Sequence, residues 1–214
     1  MLTILCVLKA GGIYSAEWVR KLRDAAERNI EKHRFVCLSD MDVPCERIAL
    51  EHDWPGWWSK VEIFRPGVVT DQVLYLDLDT VLTAPVDVTE LRRADLDFAM
   101  LQNFWNAEMV GSGVMWFSGH DVPHHVYEKF KRQPKAYIAH HERNRDGPYC
   151  GDQAFIFDAL GRDVAFVNDY LPGIKSYKMH CKRRLPADAA IICFHGLPRI
   201  SDLPTDNWVF NHWK

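Results

Sequence analysis

The chain has 214 residues, 48% hydrophobic and 26% charged, with a formal net charge of -3. That balance suits a soluble globular protein able to bury a sizeable core, and the lack of a basic excess gives no reason to expect nucleic acid as a partner. The opening residues, MLTILCVLK, carry no basic leader, and no run approaches the roughly 20 apolar residues that span a bilayer, so neither secretion nor a membrane span is expected.

In chain order, TILCVLK (3–9) reads as a buried strand, Gly11-Gly12 as a turn, and Ser15 to about His33 as an amphipathic helix with Trp18, Leu22, Ala25 and Ile30 near one face. FVCLSD (35–40) is a second strand. WWSKVEIF (57–64) is a short helix stopped by Pro66-Gly67, and QVLYLDLD is the next strand. DFAMLQ (97–102) and SGVMWF (112–117) read as strands, HVYEKFKR and GDQAFIFDAL as helices, and AAIICFHG (189–196) as a late strand. Alternating strands and helices with near-continuous apolar strands predict one α/β domain, a mainly parallel central sheet flanked by helices. Ligands of such sheets bind at the carboxyl ends of the strands. Six cysteines, Cys6, Cys37, Cys45, Cys150, Cys181 and Cys193, lie scattered without a C-x-x-C pair. Several sit in apolar runs, where a reduced Cys acts as a small hydrophobe, which predicts free thiols in a cytoplasmic protein.

The stretch VLYLDLDTVL (73–82) sets two carboxylates, Asp77 and Asp79, into an apolar run. As strand residues they would share a face, about 7 Å apart along the backbone. An isolated carboxylate there would cost several kcal/mol of desolvation, so a partner cation is expected. Solvated residues ending the strand are the plain alternative; a divalent metal is the stronger one, because carboxylate oxygens suit Mg²⁺ or Mn²⁺.

Two enzyme classes use such a pair. YLDLDTV matches the hhhDxDxT motif of haloacid-dehalogenase-like phosphatases, with Asp77 as nucleophile and Asp79 as acid/base. In that fold, however, the motif lies on the first strand, and here a strand-helix-strand unit precedes it; Asp152 and Asp158 are also farther apart than that family's second acidic pair. By contrast, VLKAGGIY, CLSD, WWSKVEIFRP, YLDLDTVL, SGVMWF, GDQAFI and CFHGLPRI, in that order, resemble the GT-A type glycosyltransferases of family 8 and their compact bacterial and phage relatives. The resemblance covers most of residues 2–200. It implies a single GT-A (Rossmann-like) domain over 1–214, with a nucleotide-binding part at about 1–82 and a donor-sugar and acceptor part at about 83–214.

The resemblance further implies transfer of a sugar from a nucleotide sugar, most often a UDP-sugar, with retention, and Mn²⁺ or Mg²⁺ as cofactor. Asp77, Asp79 and His195 match the metal ligands; a neutral imidazole suits Mn²⁺ somewhat better than Mg²⁺. Lys60 and Arg199 match the basic residues expected to meet phosphate oxygens, and Gly196 belongs to the same FHG motif. Lys9 to Tyr14 corresponds to the glycine-bearing loop at the base, with Tyr14 as a stacking platform and Asp40 as an acceptor from uracil or ribose. Asp152 and Gln153 match the Asp-Gln pair beside the donor sugar, Asp152 hydrogen-bonding its hydroxyls and Gln153 facing the anomeric carbon. Without a carboxylate nucleophile, the expected reaction is front-face displacement in which the departing phosphate helps deprotonate the acceptor. Where the family usually has Asn before its Ala/Ser-Gly-Val strand, this chain reads Gly111-Ser112-Gly113, which leaves the hexose open.

His120, His124, His125, His140 and His141 match no zinc spacing and read as solvated loop residues. The tail NWVFNHWK is expected to pack on the domain, with peripheral membrane contact as the alternative. Saccharide, lipid-linked, protein and modified-nucleobase acceptors stay open, as does a nucleotide-sugar-binding relative without turnover.

Overall fold

The apolar runs form two sheets in a computed structural model that describes residues 1–143 and 149–214. In chain order the strands and helices are β1 (Leu2–Leu8), α1 (Ala16–Asn29), β2 (His33–Ser39), β3 (Glu46–Ala49), β4 (Val73–Leu76), β5 (Thr80–Leu82), α2 (Thr89–Arg93), β6 (Phe98–Gln102), β7 (Val110–Phe117), α3 (His125–Arg132), α4 (Pro134–His141), α5 (Gly151–Ala159), β8 (Ala165–Phe166), β9 (Ile174–Ser176) and β10 (Ile191–Cys193). Gly56–Phe64 forms a 3-10 helix between β3 and β4. The large sheet has seven strands in the order β3-β2-β1-β4-β7-β6-β8, and a small one has the order β5-β10-β9. All pairs of the large sheet are parallel except those made by β7, which runs against β4 and β6. The fold is therefore the mainly parallel α/β domain expected.

Alternation along the strands explains why both faces are covered. Ile4, Cys6, Leu74 and Leu76 pack with Trp18, Val19, Leu22 and Ala26 of α1 on one side. Leu5, Val73 and Tyr75 pack with Trp58, Val61 and Phe64 of the 3-10 helix and Phe155 of α5 on the other. Each face needs apolar side chains, so the strands read as unbroken hydrophobic runs. β4 lies at the centre of the large sheet.

Several sequence expectations change. Helix α1 ends at Asn29, because Ile30 is extended and bridges Val86 while His33 already begins β2. β4 stops at Leu76 instead of continuing through Asp79. Helix α4 and the short strands β3, β5, β8 and β9 carry too few residues to give a period. Among the histidines, His141 is buried against Trp58 and Phe155, with its pKa lowered mainly by burial, and the Nδ1 of His124 lies 2.8 Å from the Phe64 carbonyl; these two are packed, not solvated. The tail packs as expected: Trp213 meets Trp18 edge-on at 4.6 Å, with the Lys21 ammonium 3.7 Å from its ring. Among the described residues no helix is long and apolar enough to cross a membrane.

Two glycines give a stability test. Gly119 (φ +89°) presses so closely on Asp71 that an added Cβ would lie 2.5 Å from its carbonyl carbon, whereas Gly161 (φ +76°), just past the end of α5, faces open space. Gly161→Ala is expected to cost about 1–2 kcal/mol, the ordinary left-handed penalty. Gly119→Ala adds a backbone clash and should cost about 3 kcal/mol or more. Urea unfolding of both variants checks this, and equal losses would contradict the close approach.

Candidate active site

β4 delivers Asp77 to the carboxyl end of the central strand, and the chain turns there. Asp77 N–H donates to the Gly113 carbonyl at 2.9 Å, and Thr80 N–H returns to the Asp77 carbonyl at 3.0 Å. The expected shared strand face is thus not what the carboxylates have. They leave a turn in which Leu78 is buried, because the chain passes from the large sheet at β4 to the small sheet at β5 within three residues. Asp77 accepts from Tyr75 Oη at 2.5 Å and from Lys60 Nζ at 3.1 Å. Asp79 accepts from Tyr14 Oη at 2.6 Å. Burial, and then the charge of Asp77, raise the Asp79 pKa to about 7.

Lys60 organises the other half. The 3-10 helix buries it, and its Nζ lies 2.9 Å from Asp77 Oδ1, 3.1 Å from Asp152 Oδ2 and 2.9 Å from Ser112 Oγ. Those contacts use the three donors of an ammonium. Burial alone would lower its pKa, but Asp152 and Asp77 outweigh that and raise it. Ser112 Oγ in turn donates to Asp152 Oδ2 at 2.6 Å. Lys60, expected at phosphate oxygens, thus holds two site carboxylates from different elements, and Ser112, read only as a departure from the family pattern, joins them. Asp152 lies on the first turn of α5 but faces Lys60 and Ser112; the helix has no side-chain cap at Cys150. Gln153 follows it, half-buried.

At the ends of β1 and β2, Lys9 contacts Asp40, whose other oxygen accepts the Ala10 N–H at 2.8 Å, and reaches Asp53 at 2.8 Å. Burial would raise the Asp40 carboxyl, but Lys9 and the Ala10 amide bring it below its usual value. Tyr14 sits edge-on to Trp18 at 4.9 Å. Desolvation and the neighbouring Asp79 and Asp77 raise its pKa, against the charge of Arg199.

The small sheet brings the FHG motif to the same place. Antiparallel pairing sets Cys193 of β10 opposite Thr80 of β5, and Phe194 N–H donates to the Asp79 carbonyl at 3.3 Å. His195 is the next residue. Its Nε2 lies 2.6 Å from Ser176 Oγ at the end of β9, and its ring stacks on Phe104 with centroids 5.6 Å apart. Burial, then the charge of Lys178, lower its pKa to about 4, so the imidazole is neutral at pH 7. Gly196 is left-handed (φ +68°), and Arg199 follows three residues on, half-buried, its N–H donating to Asp202 at 2.8 Å.

The donor chemistry fits a hard divalent cation at the two aspartates: a carboxylate pair, one member raised by burial and by the other's charge, is what such a cation would neutralise. The neutral His195 suits the same role, although among the described residues no three His, Cys, Asp or Glu side chains gather closely enough to hold a metal ion. Sequence reasoning missed Tyr75, Ser112, Ser176 and Lys178. Tyr75 was hidden in an apolar strand run, Ser176 ends a three-residue strand too short to show a period, and nothing in the spacing of Lys178 sets it apart from the neighbouring surface cations.

No protein-family model and no curated protein matches the chain. Solved structures do. The apo glycosyltransferase GlyE of Streptococcus pneumoniae TIGR4 superposes with a TM-score of 0.58 at 15% identity, over 92% of this chain and 55% of that one. An active-site mutant of LgtC superposes with a TM-score of 0.59 at 12% identity, over 96% and 91%. The galactosyltransferase LgtC in complex with donor and acceptor sugar analogs gives 0.55 at 14%, over 92% and 88%. The fold is that of the GT-A glycosyltransferases. Asp77 directly follows β4, which comes after β1, α1, β2 and β3, and does not follow the first strand as a dehalogenase-like nucleophile would, so the phosphatase reading is not favoured. The chain spans about half the length of the GlyE structure.

Removing the Lys60 ammonium would leave the Asp152 carboxylate buried without its cation. Lys60→Met is expected to cost about 3–5 kcal/mol in urea unfolding at pH 7, the usual penalty for breaking a buried pair from one side. Because the folded pKa of Lys60 is raised, this contribution is complete below the ordinary lysine value and is lost only as the pH rises through the folded one. Wild-type stability of Lys60→Met at pH 7 would contradict the arrangement.

Proposed function

We propose that the protein is a metal-dependent glycosyltransferase that moves a sugar from a nucleotide sugar, a UDP-sugar by the family resemblance, to an acceptor with retention of configuration. The observation that carries this reading is the meeting of the Asp77-Leu78-Asp79 turn with Lys60-Asp152 on one side and the His195 loop on the other, at the carboxyl end of β4. The GT-A fold supports it. Residues of about 1–82 serve the nucleotide and the carboxylate pair; about 83–214 serve the donor sugar and acceptor.

Asp77 and Asp79, with His195, would hold Mn²⁺ or Mg²⁺, which when bound supplies charge to neutralise the leaving nucleoside diphosphate. The remaining chemistry belongs to side chains. Arg199 stabilises the leaving diphosphate by charge-assisted hydrogen bonds. Asp152, fixed by Lys60 and Ser112, accepts from donor-sugar hydroxyls, and Gln153 faces the anomeric carbon. The bond from that carbon to the diphosphate oxygen breaks while the acceptor oxygen attacks from the same face, its proton passing to the departing oxygen. Asp77 forms no bond to phosphorus. Lys9, Tyr14 and Asp40 line the side where the base and ribose bind. Saccharide, lipid-linked glycan and protein acceptors are all compatible with this chemistry. The free thiols, four of them buried, support a reducing, cytoplasmic setting.

Calorimetric titration of UDP with and without Mn²⁺ tests the metal role. Affinity is expected to rise at least about tenfold with Mn²⁺, 1.4 kcal/mol, and Asp79→Asn should abolish the gain. Equal affinity in chelator and in Mn²⁺ would remove the metal from the site.

A further inference from the structure

Among the described residues, Lys178 has no carboxylate paired with it. Lys175, three residues earlier, pairs with Asp188 at 2.6 Å, and Lys60 has Asp77 and Asp152. Lys178 is half-buried, and the lowering of its pKa has burial as its only cause, with no acidic group among the described residues opposing it. The cost of such a partly desolvated, unpaired ammonium is normally offset by an anion.

Its position says which anion. The tight turn Tyr177–Cys181 follows β9 directly, and Ser176 at its start accepts the Met179 N–H at 3.3 Å, while the Ser176 N–H donates to His180 Nδ1 at 3.0 Å. That turn lays the ammonium against the His195 loop: a Cβ on Gly196 would lie 3.2 Å from Lys178 Nζ. The ammonium thus lies over the backbone at Gly196, whose left-handed φ of +68° favours a glycine. Arg199 follows Gly196 by three residues on the same loop and is half-buried. Two cations therefore border the loop that meets the carboxylate turn.

We propose that Lys178, lying over Gly196, binds a phosphate oxygen of the nucleoside diphosphate as a second cation beside Arg199. The inference rests on the glycosyltransferase reading. In the ground state Lys178 helps hold the donor; as the sugar departs, it faces the charge that grows on the leaving diphosphate.

The test is calorimetric binding of UDP and of uridine, in Mn²⁺, to wild type, Lys178→Met and Lys178→Arg, with melting temperatures alongside. The expected result is about tenfold weaker UDP binding by Lys178→Met, 1.4 kcal/mol, with uridine affinity and melting temperature unchanged and most UDP affinity restored in Lys178→Arg. The salt dependence of UDP binding should also weaken in Lys178→Met. Equal UDP affinity in wild type and Lys178→Met overturns the proposal. Equal losses of UDP and uridine also overturn it, because the lysine would then support the loop and not a phosphate. Wild-type protein that binds neither UDP nor any other nucleoside diphosphate overturns the glycosyltransferase reading itself, and this inference with it.

Discussion

A buried ammonium held by two carboxylates is the constraint on which the site depends. Lys60 comes from the 3-10 helix, Asp77 from the end of the central strand, and Asp152 from the first turn of α5. In an interior of low dielectric, neither the Lys60 ammonium nor the Asp152 carboxylate is tolerable alone, while the partly exposed Asp77 completes the pairing. Their geometry therefore fixes three elements relative to one another, and the direct link from Ser112 to Asp152 ties in β7. The arrangement gains little net stability over an apolar one of similar volume. What it provides is position: one carboxylate at the turn and one on the helix are held where a polar ligand can reach them, with rotamers already set before binding.

The small sheet solves a second problem. His195 is more than 110 residues from Asp79 in sequence, yet the antiparallel β5-β10 pair brings the end of β10 onto the carboxylate turn. β9 then supplies Ser176 to orient the imidazole and leads into the turn that carries Lys178. Short strands flanking these motifs thus convert distant sequence into one rim of groups: Tyr14 and Asp79, Asp77 and Lys60, Asp152, and the 195–199 loop. Negative charge gathers at the centre of that rim, and Arg199 and Lys178 border it. Such a pattern suits a ligand carrying both a cation and phosphates.

The large sheet was legible because burial on both faces makes each strand a continuous apolar run, as in Leu2–Leu8 and Val110–Phe117. The carboxylate pair was legible for the complementary reason, that charges in such a run demand an explanation. Its geometry was not, since the end of β4 depends on where β7 and β5 pair, which no local pattern encodes. The reversed direction of β7 was hidden likewise: an apolar run has no polarity. Lys60 was marked by its place before the central strand, but its partners, Asp152 at a separation of 92 residues among them, exist only in the folded chain. His141 read as a loop residue because helix α4 is short, and an eight-residue segment shows little period.

The account stands or falls on whether the protein breaks the bond between a sugar and a diphosphate. Incubating it with a panel of nucleotide sugars and Mn²⁺, beside a simple aryl phosphate, and measuring the products by chromatography decides this directly. The account predicts that one nucleotide sugar, a UDP-sugar first among them, is cleaved to nucleoside diphosphate and free or transferred sugar, that Asp79→Asn abolishes cleavage, and that the aryl phosphate survives. Turnover of the aryl phosphate through an aspartyl adduct at Asp77, with every nucleotide sugar left intact, would contradict it.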